Sequence, residues 1–336
     1  MASIETLRKR FCKDVGLPIN IFIEPYFSSR LELFGAKAQY DEYMDMVASF
    51  NDTKTSYIDY YDNLNKRIID DIKNSSIFKE FNSMDMQPYA VNRNIPDRDI
   101  YKDVNIGKSY ISIDMSKANY TALTHYELQP QQRCYPDGLM FNNADCIGNT
   151  GLSPYNYKAF IGRYTDNKFL MNSKNMRQAI FGNCNPKRTQ TYEKFMMSGL
   201  LDKFIESGVS EDIIMSLRSD EIILEKPSDS DLITRVEWLV NNNDFPLNYE
   251  VFSLAKIVDQ DDRTVGYIKE FEGINSKNTD GSFNPDSCEL KCVAAHDAAP
   301  VMRLLLDQPI EDNDLVFMND GRLAKYITVP ELHIVR

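Results

Sequence analysis

Two apolar runs separated by a short polar break, between Ser210 and Lys226, constrain the fold of this chain more than any other feature. The stretch has the sequence SEDIIMSLRSDEIILEK, in which the polar residues RSDE interrupt the apolar residues. Short apolar runs on either side of such a break are typical of two strands joined by a tight turn. We therefore predict a β-hairpin with Asp220 and Glu221 at its bend.

The composition is that of a globular protein with a substantial core, because 43% of its 336 residues are hydrophobic and 11% are aromatic. The net charge of -12 argues against a protein that coats nucleic acid through a general basic surface, but it is compatible with binding in a local cleft. The apolar runs are too short to cross a bilayer, and the N-terminus has charges where a signal peptide has its apolar centre. We therefore expect an intracellular protein without membrane contact, located in the host-cell cytoplasm if its Asn-, Lys- and Ile-rich composition reflects a viral gene.

The six cysteines are spread through the chain without the density of a disulfide framework, so we expect reduced thiols. Cys288, Cys292 and His296 follow one another at four-residue steps and form the one group with some likeness to a zinc site. A structural zinc site needs a fourth ligand and usually a closer cysteine pair. Ordinary packing is therefore the favoured interpretation of this group.

The first hundred residues are predicted to form a mainly helical region that follows a short β segment. Residues 17–35 alternate apolar and polar side chains and predict one or two strands. Residues 37–50 and 55–81 have apolar positions at helical spacing and predict two helices. One face of the second helix is formed by Tyr57, Tyr61, Leu64, Ile68 and Ile72. Residues 84–103 contain two prolines and predict a connector.

The remainder of the chain predicts an antiparallel sheet with helices on one face, so the fold class is α+β with a palm-like plan. Strands are expected at 110–114, in the hairpin at 210–226, at 247–258, at 264–271 and around the turn Asn319-Asp320-Gly321. Helices are expected at 115–127, 158–183, 187–208, 230–241 (with Trp238 among its inward residues) and 301–306. A loop-rich insert is expected at 128–156. The predicted division is 1–100, 101–272 and 273–336.

Three acidic residues are candidates for a metal-dependent phosphoryl-transfer site. Asp114 ends a predicted strand, and Asp220 and Glu221 lie at the predicted hairpin bend. Two-metal chemistry needs carboxylates from separate segments that the fold brings together, and adjacent strands would do this. Each acid also has a plainer interpretation, because Asp114 alone is typical of a helix cap and the pair is typical of a solvated turn.

Three motifs resemble those of family B DNA polymerases. Lys174 is followed by NMRQAI and then by Phe181-Gly182, which is similar to the fingers-helix pattern of Lys, six residues and Tyr-Gly. The segment DMSKANY, from Asp114 to Tyr120, is similar to the first palm motif, in which an Asp precedes a Ser and a Tyr. Asp220-Glu221 stands where the family has Asp-Thr-Asp at a hairpin bend. The motifs occur in the order found in the family.

This resemblance implies a role for each matching residue. Asp114, Asp220 and Glu221 would be catalytic and would bind Mg²⁺ or Mn²⁺. The nucleotide would be bound by Lys174 and Arg177 at its triphosphate, by Gln178 beside the base or sugar, and by Tyr120 or Asn119 under the sugar. The implied partners are nucleic acid and a nucleoside triphosphate, together with protein chains that supply missing parts of the enzyme.

The leading hypothesis is a polymerase-like nucleotidyltransferase that uses two metal ions for template-directed phosphoryl transfer. The first alternative is a catalytically inactive palm-like scaffold that binds nucleic acid or a partner protein in a viral assembly. The acidic net charge and the substitutions within the motifs, such as Gln178-Ala179 in place of Asn-Ser, favour that alternative. The second alternative is a metal-dependent nuclease, because hydrolysis can use the same acids without a triphosphate-binding helix.

Overall fold

The protein forms two compact units that are each assembled from separate stretches of the chain. The computed structural model describes residues 3–50, 56–93, 95, 98–133, 156–227, 231–279 and 282–336. The terminal unit comprises Met1–Tyr60, Tyr101–Ser109 and Val251–Arg336, and the central unit comprises Tyr61–Ile100 and Tyr110–Glu250. The predicted α+β class, with an antiparallel sheet and an N-terminal helical region, is confirmed. The predicted palm-like plan stays a prediction.

The N-terminal helices follow the apolar spacing of the sequence. Their bounds are α1 Ile4–Val15, α2 Tyr26–Leu33, α3 Lys37–Ala48, α4 Tyr57–Asn74 and α5 Ser76–Ser83. The predicted apolar face of α4 is confirmed, because each of its five residues is at most 5% exposed. The single helix predicted over residues 55–81 is wrong, since the Ser75 side chain accepts a hydrogen bond from the N–H of Phe78 and so begins a new helix, α5.

The strands predicted within residues 17–35 are also wrong, because Tyr26–Leu33 forms helix α2. Phe27 and Leu31 lie one helical turn apart on its buried side. Between them, the buried Arg30 donates to Asp314 Oδ1 at 2.7 Å and to the carbonyl oxygens of Asn313, Asp314 and Val316. Asp314, which is distant in sequence, therefore stabilises helix α2, which the local alternation of apolar and polar residues does not predict.

The central unit contains an antiparallel sheet with the strand order β2-β3-β1. Its strands are β1 Ser109–Met115, β2 Ile214–Leu217 and β3 Glu221–Glu225. Ile111 and Ile113 of β1 lie opposite Leu224 and Ile222 of β3, and all four are buried. One side of the sheet is therefore apolar, and the alternate residues face the other side. The predicted hairpin is confirmed by β2 and β3.

Six further α-helices are described in the central unit, in addition to α5 and part of α4. Their bounds are α6 Ala118–Arg133, α7 Tyr157–Ile161, α8 Lys168–Asn172, α9 Lys174–Gly182, α10 Pro186–Glu206 and α11 Asp231–Asn241. The single helix predicted over 158–183 is wrong, because Asn156, Asn167 and Ser173 each cap a separate helix. The loop-rich insert predicted over 128–156 is wrong at its start, because helix α6 continues to Arg133, and residues 134–155 lie outside the described residues.

Trp238 lies on the outer side of α11, contrary to the prediction. The buried residues of this helix are Leu232, Val236 and Leu239, whose spacing defines one face. Trp238 falls away from that face, and its side chain is 63% exposed.

Within the described part of the chain, no helix combines the length and apolar character needed to cross a bilayer.

The terminal unit contains a second antiparallel arrangement, in which β5 lies between β4 and β6 and β9 pairs with β4. The strands are β4 Leu247–Val258, β5 Thr264–Phe271, β6 Cys288–Lys291, β7 Val316–Asn319, β8 Arg322–Lys325 and β9 His333–Val335. Helix α12 spans Ala298–Leu305, and β4 begins in the central unit before it enters this one. The core includes Ala255, Ile257, Ile268 and Val301. The predicted final hairpin is confirmed, with positive φ at Asp320 and Gly321 in the β7–β8 turn.

Candidate active site

The strands that carry the three predicted acids are neighbours in the sheet. Asp114 of β1 lies directly opposite Glu221 of β3 in the antiparallel register. The N–H of Met115 donates to the carbonyl oxygen of Asp220 at 2.8 Å, so Asp220 adjoins the same end of the pair. Directly opposite residues have Cβ atoms about 4.5–5.5 Å apart. The expected adjacency of these strands is confirmed, and the catalytic role of the three acids stays a prediction.

The hairpin turn fixes the positions of Asp220 and Glu221. Strand β2 ends at Leu217 and β3 begins at Glu221, so Asp220 lies in the turn and Glu221 opens the strand. The N–H of Arg218 donates to the carbonyl oxygen of Glu221 at 2.8 Å and closes the turn. Ser219 Oγ lies 3.3 Å from Asp220 Oδ1, within hydrogen-bonding distance. The backbone therefore presents two consecutive acids at one end of the sheet.

The side chains around Glu221 show which side of the sheet carries the site. Ser112 and Asp114 alternate along β1 and so lie on the same side, opposite Ile223 and Glu221 respectively. The buried hydroxyl of Ser112 donates to Glu221 Oε1 at 2.7 Å. Asp114 is exposed and Glu221 is partly exposed. This side of the sheet therefore combines solvent-accessible carboxylates with a buried hydroxyl group that orients one of them.

The donor chemistry of these residues fits Mg²⁺ or Mn²⁺. Asp114, Asp220 and Glu221 offer only oxygen ligands, which hard divalent cations prefer. Among the residues that the structure describes, no three Asp, Glu, His or Cys side chains are grouped closely enough to hold a metal ion, and this includes Cys288, Cys292 and His296. Mg²⁺ is usually bound by one or two carboxylates together with substrate phosphates, and not by a complete protein cage. The lack of a three-ligand group among the described residues applies equally to Asp114, Asp220 and Glu221, so a cation site at these three acids stays a prediction.

Glu193 is an acidic residue near this site that the sequence prediction missed. Its side chain lies on α10 and is only 3% exposed. Burial, and secondly the negative charge of Asp220, raise the pKa of the Glu193 carboxyl group to about 8. Strongly shifted pKa values concentrate at functional sites. The signal that could have found Glu193 is its spacing, because it lies four residues from both Thr189 and Met197 on the buried stripe of α10.

Helix α9 carries three of the predicted nucleotide-binding residues. The Ser173 side chain accepts a hydrogen bond from the N–H of Met176 and begins the helix, so Lys174 is its first residue. Lys174 and Gln178 are exposed. Arg177 is half-buried, and its guanidinium carbon lies 5.8 Å from the centroid of the Tyr157 ring. Burial lowers the pKa of Arg177, and the adjacent Tyr157 opposes this shift.

Tyr120 has no exposed surface in the structure. Its ring packs edge-on against the rings of Tyr157 and Phe181, with centroids 5.5 Å and 5.7 Å away. Tyr157 thus connects Tyr120 to Arg177 through ring contacts. In this conformation Tyr120 supports the aromatic packing beneath α9, and its contact with a nucleotide sugar stays a prediction.

Comparison with known proteins found no family model that matches the chain and no curated protein that matches it. The resemblance to family B DNA polymerases therefore depends on the three short motifs and stays a prediction.

Proposed function

We propose that the protein is an intracellular, polymerase-like nucleotidyltransferase that acts on a nucleic-acid primer and a nucleoside triphosphate. The observation that carries this proposal is the register of β1 and β3, in which Asp114 lies opposite Glu221 with Asp220 beside them. Two distant segments thereby contribute carboxylates to one end of a sheet, as divalent-cation phosphoryl transfer requires. The exposure of Asp114 supports the proposal, because a substrate can reach it.

In this proposal Asp114, Asp220 and Glu221 hold Mg²⁺ or Mn²⁺. When bound, such a cation neutralises phosphate charge and lowers the pKa of a coordinated hydroxyl group. Ser112 keeps Glu221 in position through its 2.7 Å hydrogen bond. The 3′-hydroxyl of the primer releases its proton to solvent, and its oxygen forms a bond to the α-phosphorus of the triphosphate as the bond to the departing pyrophosphate breaks. Most of the rate comes from positioning and charge stabilisation.

Helix α9 is the proposed binding element for the triphosphate. Lys174 and Arg177 lie three residues apart, so their side chains project from neighbouring positions on the helix surface. The contact with the Tyr157 ring already restricts the Arg177 side chain. Arg177 therefore loses less conformational freedom when it binds a phosphate. Gln178 is exposed on the next residue and is assigned to the base or sugar.

The inactive scaffold is the second candidate, and two observations favour it. The net charge is -12, which opposes extended contact with a nucleic-acid backbone. No preformed three-ligand metal group is found in the described parts of the chain. A scaffold would retain the fold and its partners without a need for bound cations.

The test is incorporation of labelled nucleotides on a primed template with Mg²⁺ or Mn²⁺. We expect incorporation by the wild type and a loss on the order of 10²–10³-fold for Asp220→Ala, the range reported for removal of one transition-state-stabilising group. Glu211→Gln is the matched control, because it removes one negative charge from an exposed residue just before β2. If the wild type degrades the template and Asp220→Ala does not, the protein is a nuclease. If the wild type shows neither incorporation nor degradation and binds no detectable cation, only the scaffold hypothesis remains.

A further inference from the structure

A small cavity in the central unit is lined almost entirely by basic and amide side chains. Its volume is about 290 Å³, and its lining consists of Lys73, Phe78, Lys79, Asn82, Asn183 and Asn185. These residues lie at the end of α4, on α5 and between α9 and α10, all within the central unit. Among the described residues no acid lines the cavity, although the whole chain has 50 acidic and 38 basic residues. A basic cavity in so acidic a protein marks a place where negative charge can bind.

The two lysines of this cavity have positive charges that are not neutralised by a neighbour. Lys73 and Lys79 are both exposed. In the part of the chain that the structure describes, neither ammonium group forms an ion pair or a hydrogen bond. An ammonium group has three hydrogen-bond donors and no acceptor. An anion therefore does not have to displace a carboxylate partner in order to bind here.

The amide side chains of the cavity add further donors. Asn185 Nδ2 donates to Asn82 Oδ1 at 2.5 Å, so the acceptor atom of Asn82 is engaged and Asn82 can still donate through Nδ2. Asn183 Nδ2 donates one hydrogen to the carbonyl oxygen of Ala179 at 2.7 Å and has a second hydrogen. Phe78 contributes the apolar part of the lining and is only 6% exposed. A lining rich in donors and poor in apolar surface suits an anion with several acceptor oxygens.

We propose that this cavity binds a phosphate group. Lysine is a common phosphate ligand, and charge-assisted hydrogen bonds are about twice as strong as neutral ones. A phosphate monoester carries a charge of about −1.5 to −2, which two ammonium groups balance. Two sources share this chemistry, namely a small phosphate compound and the backbone of a nucleic acid. The cavity is independent of the proposed function, because phosphate binding here requires neither a divalent cation nor the three acids of the sheet.

Isothermal titration of the full chain with pyrophosphate, in the absence of divalent cations, measures binding to the cavity. One hydrogen bond to a charged group accounts for about a tenfold change in affinity, so Lys73→Gln/Lys79→Gln should weaken pyrophosphate binding by about tenfold or more. Lys158→Gln/Lys168→Gln is the control, because it removes the same charge from exposed residues outside the lining. Its affinity should match that of the wild type. Thermal unfolding shows that each variant is folded.

A second titration identifies the source of the phosphate. Fluorescence anisotropy of a labelled single-stranded oligonucleotide at several salt concentrations gives the slope of log affinity against log salt concentration. Each phosphate contact contributes about 0.7 to this slope for a single strand. A slope that is smaller by about 0.7 in Lys73→Gln/Lys79→Gln supports the proposal with the nucleic-acid backbone as the ligand. An unchanged slope together with weakened pyrophosphate binding supports it with a small phosphate compound as the ligand.

Three results would overturn the proposed phosphate site. The first is a wild type that binds neither pyrophosphate nor the oligonucleotide. The second is a folded Lys73→Gln/Lys79→Gln variant that binds both probes as the wild type does. The third is an equal loss of affinity in Lys158→Gln/Lys168→Gln, because the loss would then follow from net charge alone. None of these results decides the proposed nucleotidyl transfer, which the incorporation assay tests separately.

Discussion

Replacement of Glu193 by Gln should change how the stability of the protein depends on pH. The carboxyl group has a pKa of about 8 in the folded protein, against an ordinary value of 4.5 in the unfolded chain. Between these values the folded protein keeps a proton that the unfolded chain releases, so the free energy of unfolding falls as the pH rises. Glutamine does not titrate and removes this dependence. The variant should therefore gain stability relative to the wild type as the pH increases.

The size of the effect follows from the shift in pKa. Each pH unit in this interval contributes about 1.4 kcal/mol. The difference in free energy of unfolding between Glu193→Gln and the wild type should therefore grow by about 2–3 kcal/mol from about pH 5 to about pH 7. Other titrating groups are common to both proteins and largely cancel in the difference. Beyond a pH of about 8 the difference should level off.

Urea unfolding at several pH values, followed by circular dichroism, measures this difference directly. Glu206→Gln serves as the control, because it makes the same side-chain change at an exposed position of the same helix. A Glu193→Gln difference that stays constant to within about 0.5 kcal/mol, close to the precision of such curves, would refute the argument that Glu193 is buried without compensation.

Two further predictions concern the terminal unit. Arg30→Met should lower the free energy of unfolding by about 3 kcal/mol, because buried Asp314 loses one of its two arginine partners and three carbonyl oxygens lose a donor. Urea unfolding measures this, and exposed Arg322→Met should have almost no effect. Cys292 should react with a thiol reagent in the native protein while Cys12 reacts only on unfolding, because Cys292 is exposed and burial raises the pKa of Cys12 to about 12. Peptide mapping by mass spectrometry checks the second prediction, and equal native reaction rates would contradict it.

Local patterns in the sequence predicted the elements whose formation depends on local spacing. The apolar face of α4 is confirmed because its spacing, near 3.6 residues, matches the buried positions. The β2–β3 hairpin is confirmed where two short apolar runs lie on either side of a polar break. The adjacency of Asp114 and Glu221 was expected if their two strands are neighbours in one sheet, and the register of β1 and β3 confirms it.

Elements that depend on distant partners were not predictable in the same way. Helix α2 is stabilised by the contacts of Arg30 with Asn313, Asp314 and Val316, which local alternation cannot indicate. Glu193 was missed because an acid within a helix is usually solvated, and only packing against the sheet makes it buried. Trp238 shows the opposite case, in which a large apolar side chain lies on the exposed face of its helix.

The proposed function requires Asp114, Asp220 and Glu221 to act as one cation-dependent site for nucleotidyl transfer. The most direct measurement compares single-turnover nucleotide incorporation by the wild type, Asp114→Asn, Glu221→Gln and the double variant. Residues that act as one unit lose activity non-additively, so each single variant should lose nearly as much as the double variant. Incorporation at the wild-type rate by Asp114→Asn, or no incorporation by the wild type with either Mg²⁺ or Mn²⁺, would contradict the claim.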